Sequence, residues 1–435
     1  MSAHQLESTT TVVLADIAVI LLVGSLLMKV AKWVRQPPVV AELLAGVALG
    51  PSLLGLLPGH LSTRLFPVDA RPFLSVVSQL GILLFMFLIG WEFNRDILRG
   101  RLRTTIVSVS LSSMAVPFLG GAALALALYG RHDHVGSHHV GRVAFVLYLG
   151  TAISITAFPV LARFLVDTRM SGTRVGELAL ASAAACDALS WLLLAVVVAI
   201  VQVTGPGGLL KMAGQLLLYA LVMGLLVRPA LRALVRRWGQ EGGGRLTLLA
   251  PIGAGVFLSA AATSWMGIHA VFGAFVFGCV MPREPVEPLT RQVRVPMEQV
   301  SLLLLPVFFI QVGLSVNVRS LGAADLAECA AVTAVACAGK LLGASVPGRL
   351  SGLEWRDAGT LGVLMNMRGL TELIVINVGV SMGVLDGRMY TVMVLMALVT
   401  TAAAGVFIRY RPPETGWTWP REDVSLRLTE AGRAD

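Results

Sequence analysis

Apolar runs of 18 or more residues, each long enough to cross about 30 Å of hydrocarbon, recur along the chain from Val12 to Ile408. That pattern makes this a membrane protein and leaves no stretch large enough for a second, soluble domain. The composition agrees, since 56% hydrophobic and 14% charged residues provide too little polar surface to cover a chain of 435 residues in water. Nucleic-acid binding and a disulfide scaffold are excluded on the same ground. Cys186, Cys279, Cys329 and Cys337 all sit in apolar segments without a CxxC spacing, so they read as small buried residues, neither disulfides nor metal ligands. No Lys or Arg precedes Lys29, so the basic start of a cleaved signal peptide is missing and the first apolar segment is expected to stay in the protein.

Apolar windows between polar or Pro/Gly breaks predict an all-α polytopic fold of about thirteen helices, near residues 12–31, 38–57, 72–91, 104–129, 142–165, 175–203, 208–235, 246–265, 267–281, 297–315, 325–347, 357–380 and 388–409. Counted over alternate loops, one set holds 25 Lys and Arg and the other 7. Cytoplasmic loops carry the excess. The N-terminal segment 1–11 is therefore expected outside, the tail 411–435 in the cytoplasm, and the protein in the plasma membrane. Counting basic residues near span ends with the loops they adjoin, these sets account for 32 of the 34, which leaves Lys340 and Arg368 deep within the spans.

A charge at the bilayer centre costs about 2.5–3.5 kcal/mol on insertion scales, so each one marks a candidate site. Asp187 stands deepest, in ACDALSW of the sixth span, with Ala183 and Ser190 on its helical face. That small, mildly polar surround suits a packed interior or a water-filled cavity. Lys340 lies mid-span in GKLLGA, whose glycines let another backbone approach. A buried Lys loses its charge readily unless a carboxylate pairs with it, so Asp187 with Lys340 is the expected ion pair.

Two spans read as interrupted. The fifth, LYLGTAISITAFPVLARF, has Thr151, Ser154 and Thr156 ahead of Pro159; the twelfth, LMNMRGLTELIVIN, crowds Asn366, Arg368, Gly369, Thr371 and Glu372 at its centre. Such breaks free carbonyls and expose half-helix dipoles, which is tolerated only around a protein cavity. Spans 2 to 6 and 9 to 13 then form two five-helix blocks, each with its broken helix fourth and running in opposite directions. This is an inverted repeat, with binding expected at the midplane where the two breaks cross.

At these residues the chain resembles the monovalent cation:proton antiporter-2 family, and more closely the membrane portion of plant cation/proton exchangers. The shared motifs are SITAFPVLARF, VGELALASAAACDALSW, GKLLGA and LMNMRGLTELIVINVG followed by RMYTVMVLMALVTTA. RQPPVVAELLAGVALGPSLLG, LGILLFMFLIGWEFN, GIHAVFGAFVFG and LPVFFIQVGLSVN extend the match over nearly all of residues 12–410. The resemblance implies a core domain, near 104–203 and 325–409, built around two crossed, unwound helices. It implies a second domain, near 12–91 and 208–315, that forms a homodimer, and an elevator motion of one domain against the other. It places the ion-binding aspartate on Asp187 and the core lysine on Lys340. The unwound stretches fall on Ser154, Thr156 and Pro159, and on Asn366, Arg368, Gly369 and Glu372.

The chain departs from the family's pattern twice. Relatives usually carry Asn-Asp or Asp-Asp where this chain has Cys186 and Asp187. One carboxylate loads one proton or one monovalent cation, consistent with electroneutral exchange, whereas a Lys340 that also titrates allows two protons per cation; both stoichiometries stay open here. The tail from Pro412 to Asp435 is too short for the nucleotide-binding domain of glutathione-gated potassium efflux systems, so no fused gating domain is expected.

The expected activity is secondary antiport with no enzyme chemistry, cofactor or metal. Asp187 would bind a proton or a dehydrated Na+ or K+, with Ser154, Thr156 and broken-helix carbonyls as further oxygen ligands. Competition on one carboxylate couples the fluxes. The partners are protons, Na+ or K+, the bilayer and a second copy of the chain, with no nucleic acid. Glu42, after Pro37 and Pro38, is a candidate for the ion path, while Arg368 and Glu372 suit an i,i+4 pair. Asp16 and Glu92 read as lying near span ends, where solvation is cheap, and His269 as a hydrogen-bonded packing residue. RHDHVGSHH, residues 131–139, reads as a solvated extracellular loop in preference to a metal or pH sensor. The rivals are a channel or ion sensor of the same fold, an exporter of an organic cation or ionophore, and an intramembrane enzyme. The last is weakest, because HExxH, Walker, GxGxxG and GxSxG patterns are all missing.

Overall fold

Each apolar window is helical in the computed structural model, which describes residues 3–34, 36–56, 65–67, 69–92, 103–168, 170, 172–202, 206–238, 246–267, 269–284 and 289–410. The helices are α1 (Ala3–Val34), α2 (Pro38–Leu49), α3 (Arg71–Glu92), α4 (Arg103–Leu128), α5 (Arg142–Ser154), α6 (Phe158–Asp167), α7 (Arg174–Gln202) and α8 (Pro206–Val222). They continue with α9 (Arg228–Trp238), α10 (Leu246–Trp265), α11 (Ala270–Val280), α12 (Val295–Leu314), α13 (Ala323–Leu350), α14 (Trp355–Met365), α15 (Leu370–Ser381) and α16 (Gly387–Tyr410). A two-stranded hairpin, β1 (His134–Val135) with β2 (His138–His139), joins α4 to α5. The expected tail, 411–435, and the side chain of Glu92 lie outside the described residues.

Among the described residues, ten helices are long and apolar enough to span a membrane, and the bent pair α14 and α15 makes eleven. The windows at 38–57 and 267–281 are corrected to short helices: α2 has 12 residues and α11 has 11. At 1.5 Å per residue they reach about 18 Å and about 16 Å, well short of a bilayer core. α2 starts at Pro38, as expected, but ends at Leu49, where Gly50 is extended ahead of Pro51; Gly267, at φ +83°, turns the chain ahead of α11 in a backbone region that favours glycine. Both five-helix blocks therefore follow one pattern of short, long, long, broken and long. At the other end of the chain, α1 starts at Ala3, inside the segment expected to precede the membrane.

Two sets of helices pack most closely within themselves. In one, α4 lies along α13, and both gather α5, α7, α14 and α16; in the other, α3 lies against α11 and α12, which gather α2, α1 and α10. Small residues set the approach, as expected where packing rather than solvent exclusion drives helix association. A Cβ on Gly46 of α2 would stand 2.7 Å from the Gly313 Cα of α12, so these backbones touch. Around Lys340, a Cβ on Gly339 would stand 2.7 Å from the Pro117 Cα and one on Gly343 2.8 Å from the Ser113 Cα, both on α4. Gly46→Ala must push α2 off α12 and is expected to cost about 1–3 kcal/mol. The check is a lowered melting temperature in detergent beside an unchanged one for Gly359→Ala, where a Cβ meets nothing within 4 Å.

Candidate functional site

α5 stops at Ser154 and α6 begins at Phe158, with Ile155 and Ala157 extended between them. Pro159 causes the break: it has no N–H to return to the preceding turn, disfavours helical backbone just before it, and suits the first turn of a new helix. α14 stops at Met365, α15 resumes after Gly369, and the two halves are bent by 43°. The gaps meet. The Ala157 N–H donates to the Met367 carbonyl at 3.1 Å, and the Thr156 hydroxyl donates to the Met365 carbonyl at 3.0 Å.

The last four carbonyls of a helix need donors from elsewhere. At the end of α5 each finds one. Ser154 Oγ donates to the Thr151 carbonyl (2.7 Å), Arg368 Nη1 to Ala152 (3.4 Å), Arg368 Nη2 to Ile153 (2.6 Å) and Lys340 Nζ to Ser154 (2.5 Å). Two basic side chains thus sit at the negative end of a half-helix, where the dipole favours positive charge. Arg368 also holds Glu372 Oε1 at 2.8 Å with both side chains fully buried, so the i,i+4 pair forms, and Glu372 sits in the first turn of α15, where a carboxylate is favoured. Thr401 of α16 clamps the Arg368 backbone, accepting from its N–H (3.0 Å) and donating to its carbonyl (2.9 Å).

The expected Asp187–Lys340 ion pair does not form. Lys340 Nζ turns into the crossing and donates to the Ser154 carbonyl and to Thr156 Oγ1 (2.6 Å), oxygens that satisfy it without a carboxylate. Ser154 and Thr156, expected as ion ligands, therefore spend their oxygens on the lysine and on the neighbouring breaks.

Asp187 lies on α7, which packs on α4, α5, α6 and α14, and is 2% exposed. Its carboxylate has no ion-pair partner among the described residues; what flanks it are the Thr371 hydroxyl and the Trp191 indole N–H, in looser geometry than an ordinary hydrogen bond. Trp191 in turn meets Phe272 and Phe275 of α11, with ring centroids 5.6 and 6.3 Å away, so the aspartate lies near the boundary between the two helix sets. An ionised carboxylate buried without a cationic partner is costly.

The remaining residues scatter. Asn366 caps α14 and donates to Cys337 Sγ at 3.2 Å, and a Cβ on Gly369 would collide with Val160 of α6. Glu42 is buried on α2, in the other helix set from the crossing. Asp16 is corrected: it is 3% exposed inside α1, with Oδ2 unpartnered, rather than solvated at a span end. His269 caps α11, accepting from the Val271 N–H at 3.5 Å. The four cysteines are free thiols, and Cys186 sits 3.3 Å from the Ser113 hydroxyl. The 131–139 loop is corrected in part, because His132 is buried while His134, His138 and His139 are exposed. Sequence reasoning missed Trp191 and Thr401; the first could have been found at i+4 from Asp187, the second only in three dimensions.

A family profile described as sodium/hydrogen exchanger, transmembrane, matches residues 17–410. The chain belongs to the sodium/hydrogen exchanger family. The chain is 38% identical to the Na+/H+ antiporter NhaS4 of Synechocystis sp., over 91% of its own length and 95% of that relative. It is 36% identical to cation/H+ antiporter 20 of Arabidopsis thaliana, over 88% of this chain and 46% of the relative. It is 31% identical to K+/H+ antiporter 1 of Saccharomyces cerevisiae, over 99% and 50%. The exchanger thus spans about half the length of these plant and yeast relatives. Its fold matches the sodium proton antiporter MjNhaP1 of Methanocaldococcus jannaschii with a TM-score of 0.65 at 15% identity, covering 92% of this chain and 97% of that one. The family and the helical fold read from the motifs are borne out.

Proposed function

We propose that this exchanger moves protons against a monovalent cation, Na+ or K+, across the plasma membrane, with Asp187 as the site both compete for. The observation that carries the reading is the state of the buried charges. Lys340, Arg368 and Glu372 each have a hydrogen-bond partner at the crossing, while Asp187 has no ion-pair partner among the described residues and is flanked only by the neutral Thr371 hydroxyl and Trp191 indole. A single site that must be neutralised by one species or the other couples their movements, because both cannot occupy it together. The names of the relatives, Na+/H+, K+/H+ and cation/H+ antiporters, support the same cargo. In this reading the α4–α7 and α13–α16 set is the core and slides, as an elevator, against a scaffold of the remaining helices that pairs with a second copy. The N-terminus is outside and the C-terminus cytoplasmic.

The test is proton movement into liposomes carrying the purified chain, driven in turn by Na+, K+, Li+ and Rb+, with the membrane potential clamped. Saturable proton movement with Na+ or K+ is the expected result. Current without saturable exchange would make the protein a channel, and indifference to every cation would leave an exporter of an organic cation.

A further inference from the structure

A second buried polar cluster lies at the end of the core set where α4 finishes and α13 and α16 begin. Arg131 and His132 follow α4, Asp325 and Glu328 stand in the first turns of α13, and Asp386 precedes α16, accepting from its Met389 N–H at 2.7 Å. The His132 ring is 2% exposed and stacks on Phe145 of α5 at 5.8 Å. Its Nδ1 lies 2.7 Å from Asp386 Oδ2 and its Nε2 3.1 Å from Glu328 Oε2. Arg131 Nη2 pairs with Asp325 Oδ1 at 2.8 Å, and Arg131 Nη1 pairs with Glu328 Oε1. Asp133, the next residue, pairs with His134 at 2.9 Å.

Hydrogen-bond counting assigns the protons. A neutral imidazole has one N–H, and an ionised carboxylate only accepts. Both carboxylates facing His132 are held as ionised groups by a second contact, Glu328 by its ion pair with Arg131 and Asp386 by accepting from the Met389 N–H. Two ring nitrogens that each face such an oxygen need two N–H donors, so His132 is an imidazolium here. Burial pulls His132 down, but the hydrogen bonds and charges of Asp386 and Glu328 outweigh it and hold the group above its ordinary value.

We propose that His132 is a pH-released staple: doubly protonated it ties the end of α4 to the starts of α13 and α16, and at alkaline pH it gives up one of these ties. The direction follows from linkage. A histidine raised by its folded partners adds stability in full below its unfolded value, about 6.5, and loses that contribution as pH climbs through the raised one. The helices it joins are those that hold the crossing, since α13 carries Lys340 and α16 carries Thr401. On the orientation proposed above this end faces outside, so the staple answers external pH; its test is read in detergent and stands whether or not the chain exchanges protons.

The experiment is thermal melting of the full chain in detergent at about pH 6 and about pH 8.5. The wild type is expected to melt about 2–4 °C lower at the higher pH. His132→Gln is expected to lower melting at the acidic pH and to remove most of that difference. A variant that runs parallel to the wild type at both values overturns the staple. If glutamine at 132 prevents folding, nitrogen-15 histidine spectra of the wild type decide: one imidazolium that persists after the other histidines have titrated supports it, and none overturns it.

Discussion

Asp187→Asn is expected to abolish cation-dependent proton movement in liposomes, reducing it to the leak of empty vesicles, while the protein stays folded. Asparagine keeps the shape of the side chain and can still meet the Thr371 hydroxyl and Trp191 indole that flank it. It can neither take up a proton nor balance a bound cation. Because the carboxylate is buried without an ion-pair partner among the described residues, a neutral amide there relieves a desolvation cost, and the melting temperature is expected to hold or rise. Lost exchange together with unchanged or higher stability separates a working site from a structural one. Retained exchange would remove Asp187 from the mechanism, and a variant that loses both exchange and fold would make it a packing residue.

The second large effect is on folding. Arg368→Ala removes the donor to the Ala152 and Ile153 carbonyls and leaves Glu372 as an uncompensated buried charge. Breaking a buried pair from one side costs about 3–5 kcal/mol, a large share of the roughly 5–15 kcal/mol that keeps a protein folded. The variant is expected to lose most of its monodisperse peak in size-exclusion chromatography. Adding Glu372→Gln removes the stranded charge and is expected to restore part of the peak, though not all, since the two carbonyls still lack their donor. A wild-type profile for Arg368→Ala would mean that the crossing is held by its backbone bonds alone.

Much of this arrangement was legible in the chain because its causes are local. Pro159 interrupts its helix through its own backbone chemistry, Arg368 reaches Glu372 across one turn, and Asp187 stands out against an apolar run. What was not legible depends on how distant helices turn toward each other. Lys340 bonds residues 186 and 184 positions away, and its choice of carbonyl and hydroxyl over Asp187 is set by how α13 lies on α4 and α5. His132 meets partners 196 and 254 positions away, which turned an apparently solvated His-rich loop into a buried anchor. Asp16 misled for a related reason, since depth within a span does not say which face of the helix is covered.

If the crossing moves during transport, as proposed above, the charges held there also set the electrical work of moving it. Arg368 and Glu372 cancel, so with Lys340 protonated the net charge of this node depends on Asp187 alone. A proton on Asp187 and a sodium or potassium ion on Asp187 leave the node with the same charge, and the membrane field does not distinguish the two cargoes. Each loaded passage exchanges about 2.3 kcal/mol per 100 mV with the field for every net charge carried, and the return passage with the other cargo reverses it. A one-for-one exchange built on these residues therefore runs on concentration differences alone, at the same driving force in a resting or a depolarised membrane.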